Sequence, residues 1–142
     1  MRIKRMSESA TVPRRTTEGS AGYDLYADIT DTIAIAPMDT AMLSCGFAFE
    51  IPEGLVGLVF PRSGISTKEG LVLANGVAVI DSDFRGEVKM PIRNLSTETR
   101  YIHPQQRVAQ MVIMPYYCSE LVLVTELTDT DRGTGGFGHT GR

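Results

Sequence analysis

An all-β protein, built as a sandwich or a barrel with at most one short helix, is the fold class that the sequence predicts. Several apolar runs alternate with polar or small residues at a period of two, which is the pattern of a half-buried strand. Turn signals of Pro, Gly and Asp, such as IPEG and DFRG, separate these runs at short intervals. No amphipathic stretch reaches the roughly ten residues that a typical helix needs. Many short strands with frequent turns are typical of sandwiches and barrels.

The predicted strands are apolar runs of two kinds, alternating and continuous. They are MLSCGFAFEI (42–51), LVGLVF (55–60), VAVI (77–80), EVKMPIRN (87–94), RVAQMVIMP (107–115) and ELVLVTEL (120–127). Pro91 lies inside the fourth run and predicts an edge strand or a bulge, because proline donates no ladder hydrogen bond. The fifth run is nearly all apolar, so we expect it to be covered on both faces. Only SGISTKEG (63–70) could form a helical turn or two.

Length and charge limit the classes of protein to which the chain can belong. With 142 residues and no linker or internal repeat, it is predicted to be one domain. The net charge of −3 gives no global basic field, so we expect neither nucleic acid nor a membrane as a partner. No apolar run approaches the roughly 18 residues of a spanning helix, and the basic start lacks the apolar part of a signal peptide. Cys45 and Cys118 fit no metal-ligand spacing, so we expect two small buried apolar residues in a reduced, cytoplasmic protein.

Polar residues with no evident role in a β-strand are concentrated in a few stretches. The first stretch is PRSG (61–64). It follows an apolar strand directly and offers a guanidinium, a hydroxyl and a glycine at the exit into a loop. Arg62 suits an anion with several oxygens, because its planar fork can bond two of them at once. Taken alone, four residues favour an ordinary turn with a solvated arginine.

The second cluster is NGVAVIDSDFRGEVKM (75–90), which is predicted to be a hairpin that turns at DSDFRG. Asp81 ends the apolar run VAVI, and a carboxylate beside buried surface can be tuned as a general base. Asp83 follows two residues later, and either aspartate alone is more typical of turn capping. Asn75 can both donate and accept hydrogen bonds, which suits the edge of a nucleobase. A loop residue in a left-handed conformation is the alternative for Asn75.

Three further stretches carry polar residues that call for a partner. Asp24, in AGYDLYAD (21–28), could hold an arginine or a metal, although a turn or an edge position fits at least as well. Arg107 and Gln110 lie on an otherwise apolar strand, so we expect specific bonding partners, in a ligand or in a structural network. The tail RGTGGFGHTG (132–141) is either a frayed end or a loop that orders on an anion.

Taken together, five stretches resemble one family, the homotrimeric deoxyuridine triphosphate nucleotidohydrolases, or dUTPases. They stand in the family's order and spacing as AGYDLYA, PRSGIS, NGVAVIDSDFRGEV, RVAQM and RGTGGFGHTG. The resemblance implies a jelly-roll-like, distorted β barrel that forms a homotrimer with active sites shared among the subunits. It implies one β-barrel domain, 1–127, and a flexible Gly-rich tail, 128–142, that closes over the active site.

The activity that the resemblance implies is hydrolysis of dUTP to dUMP and pyrophosphate, which supplies dUMP for dTMP synthesis and keeps uracil out of DNA. Asp81 matches the general base that activates water for attack on the α-phosphorus. Asp24 matches a residue that helps to hold Mg²⁺ indirectly, while the triphosphate and water hold the ion itself. The matching substrate-binding positions are Arg62, Ser63, Gly64, Asn75, Val79, Ile80, Phe84, Lys89, Gln110, Arg132, Phe137, Gly138, His139 and Thr140.

Within this set, the resemblance assigns different residues to different parts of the substrate. Arg62 and the two residues that follow it match the phosphate-binding motif, and Gln110 matches a position near the phosphates and the attacking water. Asn75 matches the residue that reads uracil, together with the backbone near Val79 and Ile80. In the tail, Arg132 would approach the γ-phosphate and Phe137 would stack on uracil.

A few positions depart from the family's pattern. Phe84 stands where most members carry Tyr, so the apolar wall beside the deoxyribose survives without a phenol hydroxyl. Ala78 replaces a frequent Gly, Gln106 and its neighbour replace the Gly common before the fourth motif, and His139 stands where Ser is common. The general base, the phosphate arginine and the uracil-binding asparagine are all retained.

Two rival functions use the same features differently. A dCTP deaminase-like enzyme of the same fold would need a glutamate base in its own motif and lacks the closing GFGHTG pattern. A non-catalytic nucleotide-binding regulatory module would need neither Asp81 nor the complete tail, and both are present. The sequence leaves a bacterial, phage or viral origin open.

Overall fold

A computed structural model describes residues 1–136 of the chain, and in this range it forms ten strands and one short helix. The strands are β1 (Arg2–Arg5), β2 (Gly22–Tyr26), β3 (Ile33–Ile35), β4 (Thr40–Glu50), β5 (Leu55–Pro61), β6 (Leu71–Leu73), β7 (Ala78–Ile80), β8 (Glu87–Asn94), β9 (Arg100–Ile102) and β10 (Arg107–Pro115), and the helix is α1 (Ser63–Glu69). The predicted all-β class with at most one short helix is confirmed. In the part of the chain described, no helix is long and apolar enough to cross a membrane.

The strands form two four-stranded sheets and one two-stranded sheet, and every pairing is antiparallel. The first sheet has the order β1-β4-β8-β6, the second has the order β2-β10-β5-β7, and β3 pairs with β9. Because the strands from β4 to β8 alternate between the two large sheets, both sheets contribute side chains to one core. This is a jelly-roll-like barrel.

The core comes from the strands whose sequences alternate most clearly. In β8, Val88, Met90 and Ile92 are buried, as the period of two predicts. In β4, Phe47 and Phe49 are among the largest fully buried side chains. Burial of each such side chain contributes about 1.5–3 kcal/mol, so these two strands supply much of the apolar stabilisation.

The pairing register between β4 and β8 is shifted by a bulge between Ser44 and Ala48. Gly46 within it has a φ of +72°, and a Cβ at this position would lie 2.2 Å from the Cβ of Ala10. Both the conformation and the space therefore require glycine. The N–H of Gly46 donates to Oε1 of Glu87 at 2.9 Å, so the donor that the bulge removes from the ladder still has a partner.

Pro91 does not lie on an edge strand, and that prediction is wrong. Its strand, β8, is central, because it pairs with β4 on one side and β6 on the other. The C=O of Pro91 accepts a hydrogen bond from the N–H of Ala74, one residue beyond the end of β6. A residue of an antiparallel strand turns its N and its C=O to the same side, so the proline nitrogen faces the point where β6 has already ended. No ladder bond to β4 is lost.

The hairpin predicted for residues 75–90 is also wrong. The strand before the turn, β7, pairs with β5, whereas the strand after it, β8, pairs with β4 and β6. The segment 81–86 therefore carries the chain from one sheet to the other. Local sequence indicates the turn, but it does not determine which distant strands the flanking segments join.

The segment after β10 differs most from expectation. The run 120–127 forms no strand, and Leu121 and Leu123 are 100% exposed. Cys118, predicted to be buried, is exposed as well. At the end of β10 itself, Met114 is 43% exposed, so this strand is not covered on both faces along its whole length. We call residues 116–127 the C-terminal arm; no other strand of the described chain pairs with it.

Candidate active site

Asp24 lies in β2 and is buried, a position in which a charge needs partners. Its Oδ1 lies 3.0 Å from Nε of Arg62, and its Oδ2 lies 3.1 Å from Nη1 of Arg107. The hydroxyl of Thr16 donates to Oδ2 at 2.9 Å. Of the partners considered for this carboxylate, arginine is the one that the structure provides.

The register of three neighbouring strands brings these groups together. β10 lies between β2 and β5, and Gln110 pairs with Asp24 on one side and with Phe60 on the other. Arg62 follows where β5 passes into α1, and its N–H donates to the C=O of Val108 at 3.4 Å. Residues from three separate motifs thus become neighbours at one end of the sheet.

These residues line a groove of about 450 Å³, which we call the Asp24 groove. Its walls include Thr16, Asp24, Phe60, Arg62, Ser63 and Gln110. Gly22 makes room for Gln110, because a Cβ at Gly22 would lie 2.7 Å from Oε1 of that side chain. With two arginines against one carboxylate, the local charge is positive and suits an anion.

The first turn of α1 borders this groove. Arg62 is the N-cap residue and has extended backbone, and the helix begins at Ser63. Ser63 and Gly64 are both exposed, and a Cβ at Gly64 would meet nothing within 4 Å. The start of the helix is therefore open space rather than packed surface, so a ligand in the Asp24 groove can approach its backbone.

Asp81 lies in a different groove. It follows β7 directly, its side chain is exposed, and its C=O accepts from the N–H of Phe84 at 3.2 Å to close a turn. The groove beside it has a volume of about 1140 Å³, and we call it the Asp81 groove. Its walls include Arg2, Glu50, Val79, Asp81, Asp83 and Arg85. Val79 is 59% exposed, whereas Ile80 is buried.

Two more of the predicted residues, Phe84 and Lys89, line neither groove. The ring of Phe84 is 42% exposed and lies across Gly86, where a Cβ would come within 2.5 Å of Cζ. Lys89 is an exposed residue of β8 that pairs with Ser44 of β4. The site predicted from the sequence is therefore spread widely over the single chain.

Asn75 is exposed in the loop between β6 and β7 and lines neither groove. Its left-handed alternative is not found, because Gly76 takes the left-handed conformation, with a φ of +71°. The C=O of Asn75 accepts from the N–H of Val77 at 2.8 Å, which tightens the loop. The backbone is thus shaped by local turn chemistry, and the amide side chain faces open surface.

In the tail, Arg132 belongs to a local turn. Its Nε donates to the C=O of Gly135 at 2.8 Å, and the N–H of Gly133 donates to the C=O of Thr130 at 2.9 Å. The remaining predicted residues of the tail, Phe137, Gly138, His139 and Thr140, lie outside the described residues.

The structure therefore brings together only part of the predicted set. Asp24, Arg62, Ser63 and Gln110 share one groove, and Asp81 lies with Val79 in the other. No described residue lines both grooves. Within one chain, the candidate base and the candidate anion-binding residues are separate.

Thr16 is one of the Asp24-groove residues that motif analysis missed, and it is the one whose hydroxyl bonds Asp24. It precedes the motif stretch by several residues, and a lone threonine in a polar segment carries no local signal. Only the fold shows that its hydroxyl reaches the buried carboxylate.

Whether these residues could hold Mg²⁺ depends on free carboxylate oxygens. Both oxygens of Asp24 are engaged, by arginines and by Thr16. Over residues 1–136, no three His, Cys, Asp or Glu side chains are grouped in a way that could hold a metal ion. The side chains of this site therefore fit a Mg²⁺ ion that is bound by an anionic ligand and by water. They do not fit an ion coordinated mainly by protein carboxylates.

Comparison with known proteins decides among the interpretations. The family model described as dUTPase matches residues 8–141, which is nearly the whole chain. The chain belongs to the dUTPase family. Membership does not favour the rival dCTP deaminase-like or non-catalytic interpretations, and it makes the protein an enzyme, a dUTP diphosphatase.

Curated relatives from several bacteria agree with this family. The chain is 40% identical over 139 residues to a protein from Hydrogenobaculum sp., covering 98% of this chain and 96% of the relative. It is 42% identical over 142 residues to a protein from Finegoldia magna, covering 99% of each. Both relatives carry the name deoxyuridine 5'-triphosphate nucleotidohydrolase.

Solved dUTPase structures share the fold. A mutant dUTPase of Staphylococcus bacteriophage 80alpha with dUpNHpp superposes with a TM-score of 0.85 at 28% identity, over 99% of this chain and 98% of that one. A mutant dUTPase from phage phi11 of S. aureus gives a TM-score of 0.81 at 28% identity, over 90% and 98%. The description of the phi11 structure names a structural Mg(II) ion.

Proposed function

We propose that this dUTP diphosphatase works by attack of water on the α-phosphorus, with Asp81 as the general base. Asp81 would accept a proton from the water as its oxygen bonds to phosphorus. The bond from phosphorus to the bridging oxygen would then break, and pyrophosphate would leave with the electron pair. The observation that carries the proposal is that the exposed carboxylate of Asp81 borders a groove large enough for a nucleotide. General-base catalysis needs such an accessible carboxylate near water.

The phosphates would bind in the Asp24 groove. Asp24 is ion-paired with Nε of Arg62. Within residues 1–136, the two Nη atoms of Arg62 have no hydrogen-bond partner. These atoms are therefore available for phosphate oxygens, and an arginine fork suits such oxygens well. Ser63 and Gly64 at the open start of α1, and Gln110 beside them, would complete the phosphate contacts.

The base and the sugar would bind near the loops around β7. Asn75 would bind uracil together with the backbone near Val79 and Ile80. The ring of Phe84 would pack against the deoxyribose, and Lys89 would contact the substrate from β8. The tail, 128–142, would close over the nucleotide, with Arg132 at the γ-phosphate and Phe137 on uracil. Gly138, His139 and Thr140 would add contacts from the same tail, and closure would exclude water and fix the triphosphate.

A homotrimer with shared active sites accounts for two otherwise separate features. The first is that Asp81 and Arg62 line different grooves of one chain. The second is the C-terminal arm, whose Leu121 and Leu123 are fully exposed. An apolar arm of this kind is typical of a segment that another subunit covers. Subunit contact would bring the Asp81 groove of one chain against the Asp24 groove of another.

Mg²⁺ is part of the proposal as an ion that the triphosphate carries. It would neutralise charge on the phosphate oxygens, with water as the remaining ligands. Asp24 would act only indirectly, through Arg62, since both of its oxygens already have partners. The enzyme would work on the nucleotide pool of the cytoplasm, supplying dUMP for dTMP synthesis and keeping uracil out of DNA.

The direct test measures pyrophosphate release from dUTP, with dCTP, dTTP and UTP assayed in parallel. We expect rapid release from dUTP alone. Release of ammonia from dCTP would instead indicate the deaminase chemistry, and binding of dUTP without release would indicate a regulatory module.

The general base has a sharper test. Asp81→Asn keeps the shape and removes the basicity, so turnover is expected to fall by about 10²–10⁴-fold with little change in dUTP affinity. Asp83→Asn is the matched control, because Asp83 lines the same groove two residues away. Near-normal turnover in Asp81→Asn, or an equal loss in Asp83→Asn, would contradict the assignment.

A further inference from the structure

Thr16 lies in the segment that precedes β2 in the sequence, and hydrogen bonds on both sides of it hold this segment in place. The N–H of Asp24 donates to the C=O of Arg14 at 2.9 Å, which ties the segment to the strand. After Thr16, the chain closes a turn in which the N–H of Ser20 donates to the C=O of Thr17 at 3.1 Å and the N–H of Thr17 donates to Oγ of Ser20 at 3.1 Å. Thr16 is thus held between two anchored points, and its hydroxyl meets the carboxylate of Asp24.

The bonds at Asp24 divide between its two oxygens. Oδ2 takes the hydroxyl of Thr16 and the guanidinium of Arg107, while Oδ1 faces Nε of Arg62. Two donors on Oδ2 fix the rotation of the carboxylate about its bond to Cβ. With that rotation fixed, Oδ1 has one position, and the ion pair at 3.0 Å holds Nε of Arg62 beside it.

Thr16 adds this restraint without adding charge. A third cation at Asp24 would compete with Arg62 for the carboxylate, whereas a hydroxyl donates a hydrogen bond and leaves the ion pairs intact. Thr16 is exposed and makes no part of the buried core. Its contribution therefore lies in the geometry of the Asp24 groove rather than in the packing of the barrel.

We propose that Thr16 is a positioning residue for the substrate's phosphates, which acts through Asp24 to orient Arg62. The inference rests on the proposed role of Arg62 in binding phosphate. Loss of one hydrogen bond to a charged group typically corresponds to a change of roughly 10–100-fold.

The test compares Thr16→Val, which removes the hydroxyl but keeps the shape, with Thr16→Ser, which keeps the hydroxyl. Thr30→Val is the matched control, because Thr30 is also exposed, its hydroxyl also donates to a carboxylate, that of Asp31 at 3.0 Å, and it lines neither groove. For Thr16→Val we expect kcat/KM for dUTP to fall about 10-fold, with Thr16→Ser and Thr30→Val close to the parent enzyme.

Inhibition by the two products separates positioning from general damage. Inorganic pyrophosphate should inhibit Thr16→Val more weakly than the parent enzyme, because it depends on an oriented Arg62. Inhibition by dUMP should stay the same. An equal weakening of both products would indicate a structural defect and would overturn the proposal, as would a loss that Thr16→Ser fails to restore.

Arg62→Ala distinguishes failure of this inference from failure of the proposed phosphate site. If Arg62→Ala loses turnover and Thr16→Val adds no further loss in that background, the two residues act through one path and the inference holds. Independent, multiplicative losses would overturn it while leaving Arg62 in its proposed role. Unchanged pyrophosphate inhibition in Arg62→Ala would overturn both.

Discussion

At the scale of single residues, the ring of Phe84, for which we propose a role in sugar selection, depends on a local backbone feature. The ring lies across Gly86, where a Cβ would come within 2.5 Å, so the absence of a side chain at Gly86 leaves room for the ring. If this ring walls off the 2′ position, Phe84→Ala is expected to admit UTP and narrow the dUTP/UTP ratio of kcat/KM. Packing alone discriminates by about 1–3 kcal/mol, so the ratio should narrow by roughly 10- to 100-fold.

Phe84→Tyr is the control for this prediction, since it keeps the ring and adds a hydroxyl. Its ratio should match that of the parent enzyme. A ratio that Phe84→Ala leaves unchanged would assign exclusion of the 2′-hydroxyl to the backbone of the turn.

Cys45 and Cys118 differ in reactivity for a physical reason. Burial in β4 raises the pKa of the Cys45 thiol from 9.0 to about 11, so near pH 8 the thiol is almost wholly protonated and unreactive. In Cys118→Ser, a thiol reagent at that pH should therefore modify the folded protein very slowly and modify one thiol after unfolding. Rapid reaction of the folded variant would contradict the burial of Cys45.

The same pKa shift gives the sign of a stability effect. The raised pKa means that the folded state favours the neutral thiol. Its contribution to stability is complete below about pH 9 and is lost as the pH rises towards 11. Cys45→Ala, as the matched variant, should lack this component of the alkaline loss of stability.

At the scale of elements, Asn94 joins three parts of the barrel. From the end of β8, its Nδ2 donates to the C=O of Ile35 in β3 and to the C=O of Glu98, each at 2.8 Å. Its Oδ1 accepts from the N–H and the hydroxyl of Ser96 at 2.9 and 2.8 Å. Asn94 is fully buried and its bond to the C=O of Ile35 is enclosed, whereas its bonds to Glu98 and Ser96 are only partly buried.

Asn94→Ala is therefore expected to lower the melting temperature measured at a fixed protein concentration. It leaves buried acceptors such as the C=O of Ile35 without a partner, at a cost of about 1–3 kcal/mol for each such group. Thr97→Ala, an exposed change in the same loop, is the control and should melt like the parent enzyme. If Asn94→Ala and Thr97→Ala had the same melting temperature, water would be replacing the hydrogen bonds of the Asn94 amide.

The elements also show what a sequence can specify. β4, β8 and α1 were predictable because periodicity and turn residues act within a few positions of each other. The pairing of β7 with β5, the central position of Pro91 and the unpaired arm were not, because each depends on strands distant in sequence. The short strands β1, β3 and β9 have three or four residues, too few to establish a period.

At the scale of the whole molecule, the separation of Asp81 from Arg62 predicts complementation between defective chains. Asp81→Asn and Arg62→Ala are each expected to be nearly inactive alone. If sites are shared in a trimer, co-refolding equal amounts should yield hybrids in which about a quarter of the sites combine an intact Asp81 with an intact Arg62. Turnover should then recover to about a quarter of the parent rate.

The control for complementation mixes the two folded proteins without exchange of subunits, and it should stay inactive. Co-refolded mixtures that also stay inactive would show that each site is complete within one chain. Sedimentation of the parent enzyme as a monomer would lead to the same conclusion.

For the candidate site, the sequence predicts the roles of single residues but not how those residues are brought together. The family resemblance predicts anion binding at Arg62 and base catalysis at Asp81, and these roles stay predictions. The partners of Asp24 were not specified, since Thr16 and Arg107 reach it only through the folding of β2 against β10. The division of the candidate residues between two grooves likewise follows from how the strands pair into sheets, which local sequence does not specify.

The position of β1 bears on how the enzyme is prepared for study. β1 is held to β4 with Arg2 opposite Glu50, and this register places Met1 and Arg2 on the rim of the Asp81 groove. Residues joined ahead of Met1, such as an affinity tag and its spacer, would leave the fold at that rim. They would crowd the groove at which we propose that the nucleotide and a neighbouring subunit meet, so kinetic constants and assembly masses measured on tagged protein would depend on the tag as well as on the enzyme.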